Sequence, residues 1–150
     1  MKESALKRHG YRIIVALFVC IGGAALGADD PAGDIKPLAS VKFAPDPDVK
    51  CLLSALETGD PKTGRSTFIL KAPSGCVVPW HSHTAEEQLI IVTGNVLSEM
   101  LDHKAARLGP GGFAVMGHRM PHQFTCLSRP GCVMVVAFDG PYDIFWGQGR

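Results

Sequence analysis

An all-β sandwich or barrel is the fold class this sequence predicts, and three observations carry it. The apolar runs beyond residue 40 are short, mostly 4 to 8 residues; they are enriched in Val, Ile and Phe; and turn signals such as "PSG", "TGN", "GPGG" and "LSRPG" separate them. Eight or more such strands within 150 residues suggest two packed sheets or a closed barrel, and closure leaves no exposed sheet edge. One hydrophobic core suffices at this length, and there is no internal repeat.

Residues 1–27 read as a secretory signal peptide. Lys2, Lys7, Arg8 and Arg12 precede an uncharged apolar run from Ile13 to Ala28 that ends in small residues. That run is 16 residues long, shorter than the ~20 that span a bilayer, so cleavage after Gly27 is expected rather than a stable membrane anchor. Periplasmic or secreted localisation follows as the expectation. Residues 28–39, rich in Asp, Pro and Gly without periodicity, read as a flexible tether, and residues 40–150 as the barrel domain.

The strand candidates follow in order: "VKCLLSALE", for which a helix is the alternative; "RSTFILKA"; "CVVPWHSH"; "EQLIIV"; "VLSEML"; "AARL"; "FAVM"; "MPHQFTC"; and "CVMVVAF". Without its first 27 residues the chain keeps 11 basic and 13 acidic residues, a net charge of about −2. No basic stripe remains to hold nucleic acid. Cys51, Cys76, Cys126 and Cys132 stay behind in a compartment that permits disulfides. If "LSRPG" closes a hairpin, Cys126 and Cys132 face each other at bridging distance, with Cys51 and Cys76 as the complementary pair. The alternative makes Cys126, which shares parity with His122, a buried thiol near the site.

The chemistry concentrates in "GCVVPWHSHTAEEQLIIVTG", residues 75–94. Strand side chains alternate, so His81 and His83 share one face and Ser82 the other. Two imidazoles joined by a carboxylate from the next strand form a mixed nitrogen and oxygen donor set suited to divalent transition metals. A histidine pair alone is more often surface or core. Parity does not decide between Glu86 and Glu87, because "TAE" bends.

Residues 75–94 resemble the first motif of the cupin superfamily, G-x5-H-x-H-x3-E-x6-G, at every position: Gly75, His81, His83, Glu87 and Gly94. The resemblance selects Glu87 and leaves Glu86 at the turn surface. The second motif, G-x5-P-x-G-x2-H-x3-N, is matched at Gly111 and His122, with Gly117, Arg119 and Cys126 standing where proline, glycine and asparagine are usual. Arginine enters a positive-φ conformation less cheaply than glycine. The chain looks like a secreted single-domain cupin over roughly residues 40–148. That resemblance implies a double-stranded β-helix, a jelly-roll barrel, in which His81, His83, Glu87 and His122 converge on one divalent transition metal ion: Fe, Mn, Ni, Cu or Zn.

Four such donors leave two positions of an octahedral ion open, unlike a closed structural zinc. Phe68, Leu89, Ile91, Phe113, Met120, Phe124 and Phe138 are expected as apolar surroundings that limit water. The leading functional expectation is a dioxygenase-like, Fe(II)- or Mn(II)-dependent oxidoreductase acting on a small organic molecule. The alternative is a periplasmic binding or sensing module that holds an anionic ligand on the ion, with His118 or Arg119 as counter-charge. The resemblance allows a homodimer, which nothing in the sequence itself shows. Trp80 is expected off the metal face, and Tyr142 and Trp146 over one barrel end. His103 is expected exposed in a turn.

Overall fold

The computed structural model describes residues 33–147. The expected signal peptide and residues 28–32 of the expected tether lie outside them. Residues 33–37 have no regular secondary structure, and a short 3-10 helix follows at Leu38–Ser40. No helix of the described residues is long and apolar enough to cross a membrane.

Eleven strands follow among the described residues: β1 (Ala44–Pro45), β2 (Leu53–Gly59), β3 (Ser66–Ala72), β4 (Val77–Ser82), β5 (Glu87–Thr93), β6 (Val96–Met100), β7 (Ala106–Leu108), β8 (Phe113–Met116), β9 (His122–Cys126), β10 (Cys132–Phe138) and β11 (Phe145–Trp146). They pair into two antiparallel sheets, ordered β1-β2-β3-β10-β5-β8 and β11-β4-β9-β6-β7. This is the all-β architecture expected of a jelly-roll barrel. "VKCLLSALE" contributes a strand, not a helix, because Leu53–Gly59 is paired along its length with β3.

The core sits between the sheets, and in β5 and β10 it is filled by alternation. In β10 every second residue is buried from Cys132 to Phe138, and β5 buries Glu87, Leu89 and Ile91 while exposing Gln88 and Ile90. Val78, Val96 and Phe124 fill the core from the other sheet. Phe113 departs from expectation: it is 51% exposed, because β8 turns Ala114 and Met116 inward and leaves Phe113 on the outer face opposite Ile90.

Gly94, the last residue of the first motif, has φ +82° and lies so close to the β9–β10 turn that an added Cβ would meet the Gly131 oxygen at 2.6 Å. Glycine alone fits there. That turn is stapled by a Cys126–Cys132 disulfide, and a second bridge joins Cys51 to Cys76. Cys126 is therefore no free thiol beside the site; it ends β9, at the opposite end of that strand from His122.

Candidate metal centre

Three strand ends deliver the four donors. His81 lies in β4 and His83 just beyond it, Glu87 opens β5, and His122 opens β9. All four are buried, and one donor atom from each lies within 4.8 Å of the others.

Alternation alone does not put His81 there. Val78 pairs with Phe124 and His81 with His122, so three residue steps on β4 span what two span on β9. The extra residue is a β-bulge, a device that re-aims side chains near functional sites. It lets both Val78 and His81 face inward, each only 3% exposed. Ser82, expected to face out, is also buried, because β11 lies against it with Phe145 opposite. Trp80 falls within the bulge and is half-buried.

Backbone carbonyls fix the imidazole rings. His81 donates from Nδ1 to the Pro79 oxygen at 2.7 Å, His122 from Nδ1 to the Met120 oxygen at 2.8 Å, and His83 from Nδ1 to the Asp143 oxygen. A carbonyl only accepts, so each ring carries a proton on Nδ1, and in the neutral ring the Nε2 lone pair is left for the interior. The Nε2 atoms of His83 and His122 stand 3.0 and 3.1 Å from Glu87 Oε2. Lone pairs aimed at a carboxylate need positive charge between them. Two donors each about 2.1 Å from an ion, at right angles, lie about 3 Å apart, so these residues fit a divalent metal.

Without an ion, protons compensate the carboxylate. Burial would push the Glu87 carboxyl up, but the hydrogen bonds from His122 and His83 outweigh it and hold it well below its usual range. Burial likewise pulls His83 down, yet its hydrogen bond and attraction to Glu87 raise it above the ordinary imidazole value. His81 is lowered to about 4 by burial and by the neighbouring His122.

A cavity of about 210 Å³ opens beside Glu87 and His83, walled by Phe68, Phe124 and Phe138 among other apolar side chains. Leu89 and Ile91 lie in the core. Tyr142, expected over a barrel end, lines the cavity and donates to Asp48 Oδ2 at 2.9 Å; burial, then that bond, raises its phenol above the ordinary value. Trp146 is exposed, with its ring 5.7 Å from His81. His103 is exposed in its turn, and Glu86 accepts from Gln88 outside the centre.

Neither His118 nor Arg119 lines the cavity. His118 donates from Nδ1 to the Thr84 oxygen at 3.0 Å, and the Arg119 guanidinium lies over the Phe145 ring. Arg119 adopts φ 57°, keeping the left-handed turn that the motif's usual glycine would make, and its N–H donates to the His83 oxygen at 2.7 Å. Two contributors escape sequence reasoning: Asp143, whose carbonyl orients His83, and Asp48, which reads only as part of a Pro-Asp turn.

Residues 68–138 match the family model described as the Cupin domain. Among curated proteins, dimethylsulfoniopropionate lyase DddQ of Ruegeria pomeroyi is 34% identical over 73 residues, which are 47% of this chain and 35% of that protein, so the chain spans about a third of that relative's length. Among solved structures, DMSP lyase DddQ from Ruegeria pomeroyi superposes with a TM-score of 0.62 at 20% identity, covering 75% of this chain and 64% of that one. The polyketide cyclase RemF from Streptomyces resistomycificus gives 0.63 at 16% identity, with 78% and 89% covered. An RmlC-like cupin from Shewanella frigidimarina gives 0.60 at 13% identity, with 73% and 92% covered. At these structural identities the likeness shows the fold.

Proposed function

Because the chain belongs to the cupin superfamily, we propose that it is a metal-dependent cupin acting on a small organic molecule, with His81, His83, Glu87 and His122 as ligands of one divalent transition metal ion. The observation that carries this reading is the convergence of three Nε2 lone pairs and one carboxylate beside an apolar cavity. A bound ion would supply Lewis-acid charge and, for iron or manganese, a redox centre. The chain's own residues do the rest: carbonyls of Pro79, Met120 and Asp143 hold the rings, and Phe68, Phe124 and Phe138 limit water.

Within that class, a dioxygenase-like oxidoreductase is the finer reading. Besides His83 and Glu87, the titratable groups lining the cavity are Asp46, Asp48 and Tyr142, and Tyr142 keeps its proton at neutral pH. The protonated Tyr142 is no general base, and the buried His81, His83, Glu87 and His122 group beside this lining favours chemistry supplied by a metal. The likeness to a lyase favours the second reading, a metal-assisted elimination with no oxygen consumed.

The test loads the protein with Fe(II), Mn(II) or Zn(II) and follows oxygen uptake and product with enediols, β-diketones, hydroxylated aromatics and short-chain acids. Uptake with iron or manganese supports oxygenation, product formed anaerobically with zinc supports elimination, and metal-dependent affinity without product supports a periplasmic binding module. Alanine at any two of His81, His83, Glu87 and His122 is expected to cut metal from about one ion per chain to below about a tenth. Unchanged metal content in such variants would sink the ligand assignment.

A further inference from the structure

The ligand group has two sides, and the cavity reaches one of them. His83 and Glu87 line the cavity, whereas His81 and His122 do not. On the other side stands β11. It extends the second sheet past β4 at the edge, with Phe145 paired to Ser82 and Trp146 to His81. Residues directly opposite in an antiparallel pair point to the same face, so Trp146 follows His81 and brings its ring 5.7 Å from the imidazole. His81 is 3% exposed and Trp146 46%. Solvent therefore lies one side chain away from a ligand histidine.

That cover is held lightly. β11 has two residues where β10 has seven. It is held further by Gly147, whose N–H donates to the Trp80 oxygen at 2.8 Å, and by the Arg119 guanidinium 5.7 Å from the Phe145 ring. The residues just before it are anchored more firmly. Tyr142 donates its N–H to the Pro61 oxygen at 2.8 Å and its hydroxyl to Asp48, and Asp143 accepts from both His83 and Thr84. Short segments with few buried contacts open far more often than the whole domain unfolds. Opening at Ile144 uncovers His81 and leaves the carbonyl that orients His83 in place.

Resting on the reading that His81, His83, Glu87 and His122 hold a metal ion, we propose that β11 is the gate through which that ion enters and leaves, hinged at Ile144 and latched by Trp146. Metal exchange and access to the cavity then use opposite sides of the group. The competing route is the cavity itself, where Asp46 and Asp48 would attract a cation but the walls of Phe68, Phe124 and Phe138 offer no polar group to replace its water. Lifting β11 instead frees polar groups beside the ligand: the backbone of His81 and Ser82 that had paired with it, and the Ser82 hydroxyl.

The experiment follows zinc uptake by the metal-free protein, and zinc release to excess chelator, by stopped flow in the unaltered protein and in Trp146→Ala, Phe145→Ala and Asp48→Ala. Trp146→Ala is expected to raise both rates about threefold to tenfold, the scale of one aromatic contact, with their ratio unchanged, because a gate alters the path and not the bound state. Phe145→Ala removes the ring under Arg119 and is expected to raise both rates in the same way. Asp48→Ala is expected to change neither. Faster release with unchanged uptake in Trp146→Ala would make Trp146 a support for His81 and overturn the gate. A change confined to Asp48→Ala would place the route in the cavity, with the same consequence. Should Trp146→Ala not fold, Phe145→Ala and Asp48→Ala decide. Unaltered protein that takes up no zinc overturns the ligand reading itself, whereas full zinc content with rates indifferent to Trp146 and Phe145 overturns the gate alone.

Discussion

His122 lies directly opposite His81 across the β4–β9 ladder, with the two imidazole rings 4.1 Å apart. Two buried rings so close cannot both be charged without an anion between them, and Glu87 contacts the His83 and His122 side of the group. In the metal-free chain His81 therefore stays neutral near neutral pH, while His83, bonded to Glu87, holds its proton more firmly than an ordinary imidazole.

That division sets a pH dependence for the metal-free protein. His81 is lowered to about 4, so between pH 6.5 and 4 the unfolded chain takes a proton that the folded chain refuses, and stability falls with pH by on the order of 3 kcal/mol. His83 is raised, so its contribution is full below 6.5 and is lost as pH rises through its folded value. Glu87 is lowered, and its contribution is kept above 4.5 and lost only in strong acid. Stability from this group is expected to peak near pH 6.5. Urea midpoints against pH check it: His81→Gln should flatten the acid limb and His83→Gln the alkaline one, and a limb surviving its own substitution contradicts the assignment. Metal release should begin above pH 6.5, where His83 first gains a proton, rather than below the ordinary imidazole value.

What the sequence reveals and what it conceals divide by range. The spacing of His81, His83, Glu87 and Gly94 is a local property, readable because each residue stands at a fixed offset within one strand pair. Alternation within β5 and β10 is equally local, so the core residues Leu89 and Phe138 follow from parity. Parity fails at Ser82 and Phe113, where the deciding partners, β11 and the outer face of β5, are supplied by the fold. The Asp48–Tyr142 contact joins loops 94 residues apart, and no periodicity carries that information. Arg119 shows a third case: the motif's glycine geometry is readable, but that the backbone holds φ 57° with an arginine is visible only in the structure.

The β4 bulge is the next testable feature. Deleting Pro79 leaves only Trp80 between Val78 and His81, so two residue steps match the two on β9 and ordinary alternation then faces both side chains inward. What the deletion removes is the Pro79 carbonyl that takes the Nδ1–H of His81. The deletion variant is expected to stay all-β by circular dichroism and to keep its metal, with affinity about tenfold lower in competition with a chelator, the scale of losing orientation at a ligand. Complete loss of metal from a folded deletion variant would show that the bulge itself, and not the inward parity, places His81.

Both disulfides belong to stability rather than to the metal centre. Cys76 and Cys126 are hydrogen-bonded neighbours at one end of β4 and β9, and His81 and His122 pair toward the other end. Loop-closure entropy ranks the bridges: the 25-residue separation of Cys51 and Cys76 is worth about 3.5 kcal/mol, and the 6-residue separation of Cys126 and Cys132 about 2. Paired alanine variants compared in urea are expected to follow that order while keeping their metal. Metal loss on removing either bridge alone would couple the two ends.

Asp143 is the residue whose role is most separable from the ligands themselves. Its carbonyl takes the Nδ1–H of His83, and its side chain clamps the same segment by accepting the Thr84 N–H on Oδ1 at 2.7 Å. Its partial burial pushes the carboxyl up, but the Thr84 hydrogen bonds outweigh that and hold it below its ordinary range, so the clamp persists into mild acid. Asp143→Ala leaves all four donors in place and removes only this clamp. Metal affinity is expected to fall about tenfold, as for other groups that orient a ligand histidine, while the zinc-loaded fold is retained. Competition with a chelator reads that ratio directly. Asp143→Asn, which can still accept from Thr84, should recover most of it, and equal losses in the two variants would place the effect in the carboxylate's charge instead of in the clamp.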